Sequence, residues 1–293
     1  DEIVGHAVRA MYFYSGAADL AAYTGDQGLL DAMDRLWEDV AQRKMYITGG
    51  IGARHKNEEF GDRYELPNDT AYCETCAAVG MVFWNQRLNL MSADAKYADI
   101  VERVLYNGFL SGVALDGKTF FYVNPLASDG KHHREPFFGC ACCPPNVIRL
   151  MASLPGYVYA QDDKQIYVNL YVGGTADVTL GDRKVTLTQD TNYPWDGKVT
   201  LAVSPATPCE FTVKLRIPEW CDAATVAVNG QPVEKLDIES GYASINRPWR
   251  SGDVVELDLP MEIMRIEAHP RVAANVGRTA VQRGPIIYCF EAV

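Results

Sequence analysis

The hydrophobic period of this chain changes once, at Pro155-Gly156, and that change limits the fold more than any other feature of the sequence. Before it, apolar residues recur every three to four positions, the spacing of helices with one buried stripe. Ile3, Ala7, Met11 and Tyr14 form the first such series, which Gly25 closes as a C-cap would. Leu29, Met33, Leu36 and Val40 give a second helix. Thr70 is the expected N-cap of a third, running through Val79, Phe83 and Leu90. A fourth carries Tyr97, Val101, Val104 and Leu105 and is expected to end at Gly108. Pro144-Pro145 suits the first turn of a fifth, continuing through Val147, Leu150 and Met151. Two long loops, roughly 45–69 and 111–143, interrupt what reads as antiparallel helix pairs.

After Pro155 the period becomes two. The stretches 166–172, 177–180, 184–189, 198–203, 210–217, 225–230 and 254–259 alternate or are β-branched, with Gly, Pro, Asn and Asp turns between them. That pattern predicts an antiparallel β-sandwich. Val228-Asn229-Gly230-Gln231 holds the turn pair of a tight hairpin. The last stretch, from Thr279 onward, reads as an apolar strand without an evident partner.

A length of 293 residues accommodates more than one domain. The net charge of −11, from 27 Lys and Arg against 38 Asp and Glu, argues against a nucleic-acid partner. No stretch approaches the roughly 20 apolar residues of a membrane span, so no membrane partner is expected. The acidic opening, DEIVGHAVRAMYF, does not read as a signal peptide, and it has the character of the interior of something larger. Of eight cysteines, Cys73, Cys76, Cys140, Cys142 and Cys143 fall in two short windows. Clustering in a long chain suggests metal ligation or a reactive thiol rather than a secreted disulfide scaffold, and thiols of this kind suit the cytoplasm.

The first window includes Asn57-Glu58-Glu59-Phe60 and Asn68-Asp69-Thr70-Ala71-Tyr72-Cys73-Glu74-Thr75-Cys76; the second is Phe138-Gly139-Cys140-Ala141-Cys142-Cys143-Pro144-Pro145-Asn146. Zinc takes thiolate, imidazole and carboxylate ligands, and two from each window could supply a tetrahedron. Cys73, Glu74 and Cys76 are all eligible from the first. The spacing is not that of a zinc finger, however, and cysteines are also commonly buried as small hydrophobes. A vicinal Cys142–Cys143 disulfide is a third reading. Glu58, Glu59 and Glu65 lie on a loop, where carboxylates are ordinarily solvated; Glu102 reads as a helix-surface acid beside a cation, His6 as a core histidine, and Tyr122 as a half-buried strand aromatic. The five tryptophans could stack sugars, but their scatter favours core packing.

Taken together, YITGGIG, NEEFG, ELPNDTAYCETCA, VERVLYNGFLSG, FFYVNPL, FGCACCPPNVIRLMASLPGYVY, LRIPEW and VQRGPIIY resemble glycoside hydrolase family 127, whose best-known activity is β-L-arabinofuranosidase. The resemblance implies an (α/α)6 barrel followed by β-sandwiches, and a catalytic zinc. Carried onto this chain, it implies zinc ligands Glu74, Cys76, Cys142 and Cys143, with Cys142 as nucleophile and Glu58 as general acid/base. More loosely, it implies pentose contacts from His6, Glu102 and Tyr122. The reaction would be retaining, with a cysteine in place of the usual second carboxylate.

A full barrel of this type needs about twelve helices, and only about five precede the sandwich. The expected fold class is therefore α+β multidomain: the C-terminal half of an (α/α)6 barrel over 1–156, an antiparallel β-sandwich over 157–262, and the incomplete start of a further β domain over 263–293. The missing barrel half, or a homo-oligomeric partner, would cover the helices. A non-catalytic structural zinc protein and a carbohydrate-binding module are the competing expectations.

Overall fold

The computed structural model describes residues 2–291; Ala292 and Val293, the end of the expected terminal strand, lie outside the described residues. Five main helices come first: α1 Ala7–Thr24, α2 Gln27–Arg43, α3 Thr75–Ser92, α4 Ala95–Arg103 and α5 Cys143–Ser153. Gly25, left-handed at φ 69°, caps α1, and Asp26 caps α2 by accepting the Leu29 amide at 3.1 Å. α3 sits at the centre, buried on nearly every side, with α1 packed along it. The first half of α3 is apolar on most sides, as suits an interior helix, and Val79, Met81, Val82 and Trp84 fill that core.

Two helix boundaries differ from the expectation. α3 begins at Thr75 rather than after Thr70, because Cys73 adopts a left-handed φ of 41° and the strand-like chain before α3 bonds to other loops. The Cys73 amide donates to the Gly52 carbonyl at 2.9 Å, and the Tyr72 carbonyl accepts from Asn124 at 3.0 Å. α4 does not run on to Gly108 as an α-helix; after Arg103 it widens into a π-turn over Val104–Phe109. Gly108 lies there because a Cβ would come within 2.9 Å of the Thr48 carbonyl oxygen.

Among the described residues, fourteen strands follow. In chain order they are β1 Tyr159–Gln161, β2 Gln165–Val168, β3 Gly174–Leu180, β4 Arg183–Thr191 and β5 Lys198–Pro205. Next come β6 Cys209–Arg216, β7 Thr225–Val228, β8 Gln231–Pro232, β9 Ile238–Glu239 and β10 Tyr242–Trp249. β11 Asp253–Asp258, β12 Ile263–Ile266, β13 Ala280–Arg283 and β14 Ile286–Tyr288 complete the set. One sheet has the order β1-β2-β6-β10-β9 and a second β3-β4-β5-β11-β7-β8; their alternating apolar faces share a single core around Val213, Leu187, Val203 and Trp249. The β7–β8 hairpin turns through Asn229 and Gly230, both at positive φ.

The sandwich departs from a purely antiparallel design where β2 pairs parallel with β6. The chain between them builds β3, β4 and β5 of the other sheet before returning, and a crossover of that length permits parallel pairing. β2 also ends sooner than expected: at Asn169 the chain leaves the sheet, its carbonyl accepting from Arg216 Nε at 2.6 Å and its side chain meeting Asn89 and Tyr242.

The terminal stretch does find partners. β13 pairs with β12 and β14 in a third sheet, which Asn107 fastens to the helical part through the Pro285 carbonyl and the Ile287 amide, at 2.9 and 2.8 Å. Among the described residues, no helix is long and apolar enough to cross a membrane.

A candidate metal-thiolate site

The starts of two helices meet, one of them the central α3. Glu74 and Cys76 occupy the start of α3, and Cys142 and Cys143 the start of α5. Glu74 stands at the N-cap position of α3 yet makes no capping bond with its side chain, which turns to the sulfurs instead. One donor atom from each of the four residues falls within 4.8 Å of every other. Glu74 Oε1 is 3.5 Å from Cys142 Sγ and 3.7 Å from Cys143 Sγ. Cys143 Sγ is 3.3 Å from Cys76 Sγ and 3.9 Å from Cys142 Sγ. All eight cysteines are free, so the vicinal disulfide does not form.

Glu74, Cys76 and Cys143 are buried and Cys142 is part-exposed. Burial, followed by the charge of Cys76, pushes the Glu74 carboxyl up to about 8. Cys76 moves down to about 6, chiefly through its hydrogen bond with Cys143. Burial pushes the Cys142 thiol up to about 12, and the bond to Cys76, together with burial, raises Cys143 further. Four acidic donors packed this closely cannot all ionise unless a cation joins them. Glu74 Oε2 is also buried without a hydrogen-bond partner.

A divalent metal fits this arrangement. Zinc–sulfur bonds of about 2.3 Å in a tetrahedron separate sulfurs by roughly 3.8 Å, close to the Cys142–Cys143 spacing and about half an ångström beyond that of Cys76 and Cys143. Cys73, eligible by sequence, is not in the group; its side chain packs with Tyr46, Ala53 and Ala71.

The other expected residues divide. A 3.3 Å hydrogen bond links the Tyr122 hydroxyl and Cys142 Sγ. Tyr122 is held there because its carbonyl accepts from the Thr75 amide at 3.0 Å, while Thr75 Oγ1 donates to the Phe121 carbonyl at 2.7 Å. Glu58 lies on the loop before α3, where Asn57 and Glu58 are both left-handed, at φ 57° and 53°. Arg54 braces that loop, its Nε donating to Glu65 Oε1 at 2.8 Å and its Nη1 reaching Glu59 at 3.6 Å. Glu58 Oε2 is 2.9 Å from His6 Nε2, and the Glu58 charge is near enough to raise both Glu74 and Tyr122.

Glu102 does not join them. It is 2% exposed, and Arg216 pairs with it and with Asp99, at 2.6 Å for the latter. The Tyr193 hydroxyl and Trp220 Nε1 donate to Glu102 at 2.5 and 3.2 Å, so its oxygens are consumed at the junction of α4 and the sandwich. In this structure Glu102 joins the helical layer to the sandwich.

Two residues near the cluster escaped sequence reasoning. The Tyr72 ring packs edge-on against that of Tyr122, centroids 6.3 Å apart, and burial together with Glu58 raises the pKa of its hydroxyl. Asn146 Nδ2 donates to Cys76 Sγ at 3.0 Å. Both sit inside the windows already singled out, two residues before Glu74 and three after Cys143.

A helical layer bearing a buried carboxylate–thiol cluster able to hold a metal ion, joined to a β-sandwich, defines an α+β protein with a candidate metal-thiolate site. Family comparison makes the class specific. Residues 1–156 match the β-L-arabinofuranosidase GH127 catalytic domain, 165–261 the GH127 middle domain and 263–293 the family 127 C-terminal domain. The chain belongs to glycoside hydrolase family 127.

It is 41% identical, over 99% of its length, to the non-reducing end β-L-arabinofuranosidase of Bifidobacterium longum subsp. longum, covering 46% of that protein. The solved GH127 β-arabinofuranosidase BT3674 matches 98% of the chain at 51% identity and a TM-score of 0.94, with 48% of that structure covered. The GH127 β-L-arabinofuranosidase Ara127N-Se from Geobacillus stearothermophilus T6 matches 98% at 50% identity and a TM-score of 0.94, with 47% covered. The chain thus spans about half the length of these relatives. Their likeness agrees with the half-barrel and sandwich expected from the sequence.

Proposed function

We propose that this chain carries the catalytic centre of a retaining glycoside hydrolase acting on β-L-arabinofuranosides, with Cys142 as nucleophile and Glu58 as general acid/base. The observation that carries the reading is the convergence of Glu74, Cys76, Cys142 and Cys143, with Cys142 alone among the sulfurs part-exposed beside Tyr122. Zinc is the ion the donor set suits, held by those four residues. When bound, it would supply the positive charge that keeps the thiols ionised at neutral pH.

Cys142 Sγ attacks the anomeric carbon as the bond to the leaving oxygen breaks, and Glu58 donates a proton to that oxygen. A thioglycosyl intermediate on Cys142 results. Glu58, now a carboxylate, takes a proton from water as the water oxygen bonds to the anomeric carbon and the thiolate departs. Two inversions return the sugar with its original configuration. His6 holds the Glu58 carboxylate, and Tyr122 holds the attacking sulfur; both are also assigned here as contacts of the bound pentose.

Domain limits of 1–156, 157–262 and 263–293 are part of this proposal, as is a cytoplasmic setting, which eight free thiols suit. Phe13, Leu20 and Tyr23 on α1 and Ile148 on α5 stand exposed, as suits helices meeting a further helical layer. A closed structural zinc centre would have no use for a part-exposed sulfur hydrogen-bonded to a tyrosine. A sugar-stacking module is poorly served too, since among the described residues Trp195 is the one strongly exposed tryptophan.

The test is hydrolysis of an aryl β-L-arabinofuranoside by the protein and its Cys142→Ser variant. Release of L-arabinofuranose with retained configuration, abolished in the variant while zinc content and fold persist, supports the mechanism. Undiminished turnover by the variant contradicts it.

A further inference from the structure

The three sulfurs of the cluster are chemically unequal. Cys143 is enclosed, facing Cys76 and Glu74. Cys142 is part-exposed and has a tyrosine hydroxyl as its polar neighbour. Cys76 alone receives a side-chain amide: Asn146 Nδ2 donates to it at 3.0 Å, and a sulfur acceptor requires the nitrogen end of that amide to face it.

Local sequence explains why the donor comes from a side chain. A helix start ordinarily offers free backbone N–H groups to anions. Pro144 and Pro145 remove two of those in the first turn of α5, and the Asn146 amide N–H is spent on the Cys142 carbonyl at 3.3 Å. Asn146 follows Cys143 by three residues, so its side chain lies on the same helix face as that sulfur ligand. One carboxylate and three thiolates outweigh the charge of a divalent ion, and an N–H aimed at sulfur disperses the excess.

We infer that Asn146 is a positioning residue of the metal centre, its side-chain amide fixing Cys76 as a retained sulfur ligand. The inference rests on the metal-binding reading above. The side-chain hydrogen bond of Asn146 is to Cys76, and its effect reaches the centre through that ligand.

Cobalt(II) titration of the metal-stripped 293-residue chain, followed by its sulfur-to-cobalt charge-transfer band, tests this. Asn146→Ala and the near-isosteric Asn146→Asp should each weaken cobalt affinity by about 10- to 100-fold. Each should also move the band to longer wavelength, because a sulfur without its N–H donor gives up charge more readily. Circular dichroism shows which variants fold, and either one suffices. Wild-type affinity and band position in a folded variant overturn the inference. Weaker binding with an unmoved band also overturns it, since that signals only disturbed packing. A wild-type chain showing no thiolate band overturns the metal reading itself, a separate and recognisable failure.

Discussion

His6 Nε2 and Glu58 Oε2 lie 2.9 Å apart, joining the start of the first helix to the loop that precedes α3. The His6–Glu59 backbone bridge and the Phe60 amide, which donates to the Gly5 carbonyl at 3.0 Å, keep the two segments in register. The contact gives Glu58 a fixed direction, as proton transfer to a leaving group requires.

Glu58→Gln should lower turnover of substrates with poor leaving groups by about 10²- to 10⁴-fold, the usual contribution of a positioned acid/base. Substrates with activated aryl leaving groups should lose much less in the first step, since they depart without a proton. Comparing the two classes by pre-steady-state kinetics checks this; equal losses would deny Glu58 the acid role.

Glu102→Ala should act on stability and leave the metal centre intact. It strips a partner from Arg216, whose side chain is fully buried, and breaking such a pair costs about 3–5 kcal/mol. Denaturant melts should show that loss, while metal stoichiometry stays at the wild-type value. Unchanged stability would contradict the anchoring role of the pair.

The brace around Arg54 predicts a pH response. Its hydrogen bond to Glu65 is the main cause holding that carboxyl below the ordinary glutamate range, opposed by burial. A folded-state value below the unfolded one means that the contribution is present above the unfolded value and is lost as pH falls through the folded one. Acidification below the ordinary glutamate range should therefore loosen the 54–65 loop. Carboxyl-carbon NMR should find the Glu65 midpoint depressed, and Arg54→Leu should return it upward; an unmoved midpoint contradicts the brace.

Gly108→Ala should destabilise the chain by about 1–3 kcal/mol, because the added methyl meets the Thr48 carbonyl at 2.9 Å and backbone must shift. Thermal unfolding measures it, and an unaltered melting temperature would show that the π-turn can yield.

The site was legible in the sequence where motif and chemistry coincided: Glu74 and Cys76 in one window, Cys142 and Cys143 in the other, do converge. The change of period at Pro155 likewise marks where helices give way to strands. Contacts between distant segments were not legible. Helical spacing places Glu102 on α4 but says nothing of Arg216, far along the chain on β6, which pairs with it. Thr70 has the chemistry of a cap, yet the bonds of Cys73 and Tyr72 to other loops postpone α3 to Thr75. The parallel β2–β6 pairing follows from a path through the opposite sheet, which strand alternation does not encode. Asn146 was within reach, since its three-residue offset from Cys143 on a helix beginning with two prolines already puts an amide beside the ligands.

X-ray absorption spectroscopy at the zinc edge of the loaded chain examines the convergence of the two windows most directly. The expected first shell has three sulfurs at about 2.3 Å and one oxygen at about 2.0–2.2 Å, with one ion per chain. A chain that retains no zinc, or whose zinc is surrounded by nitrogen and oxygen alone, would contradict the centre on which the proposed chemistry depends.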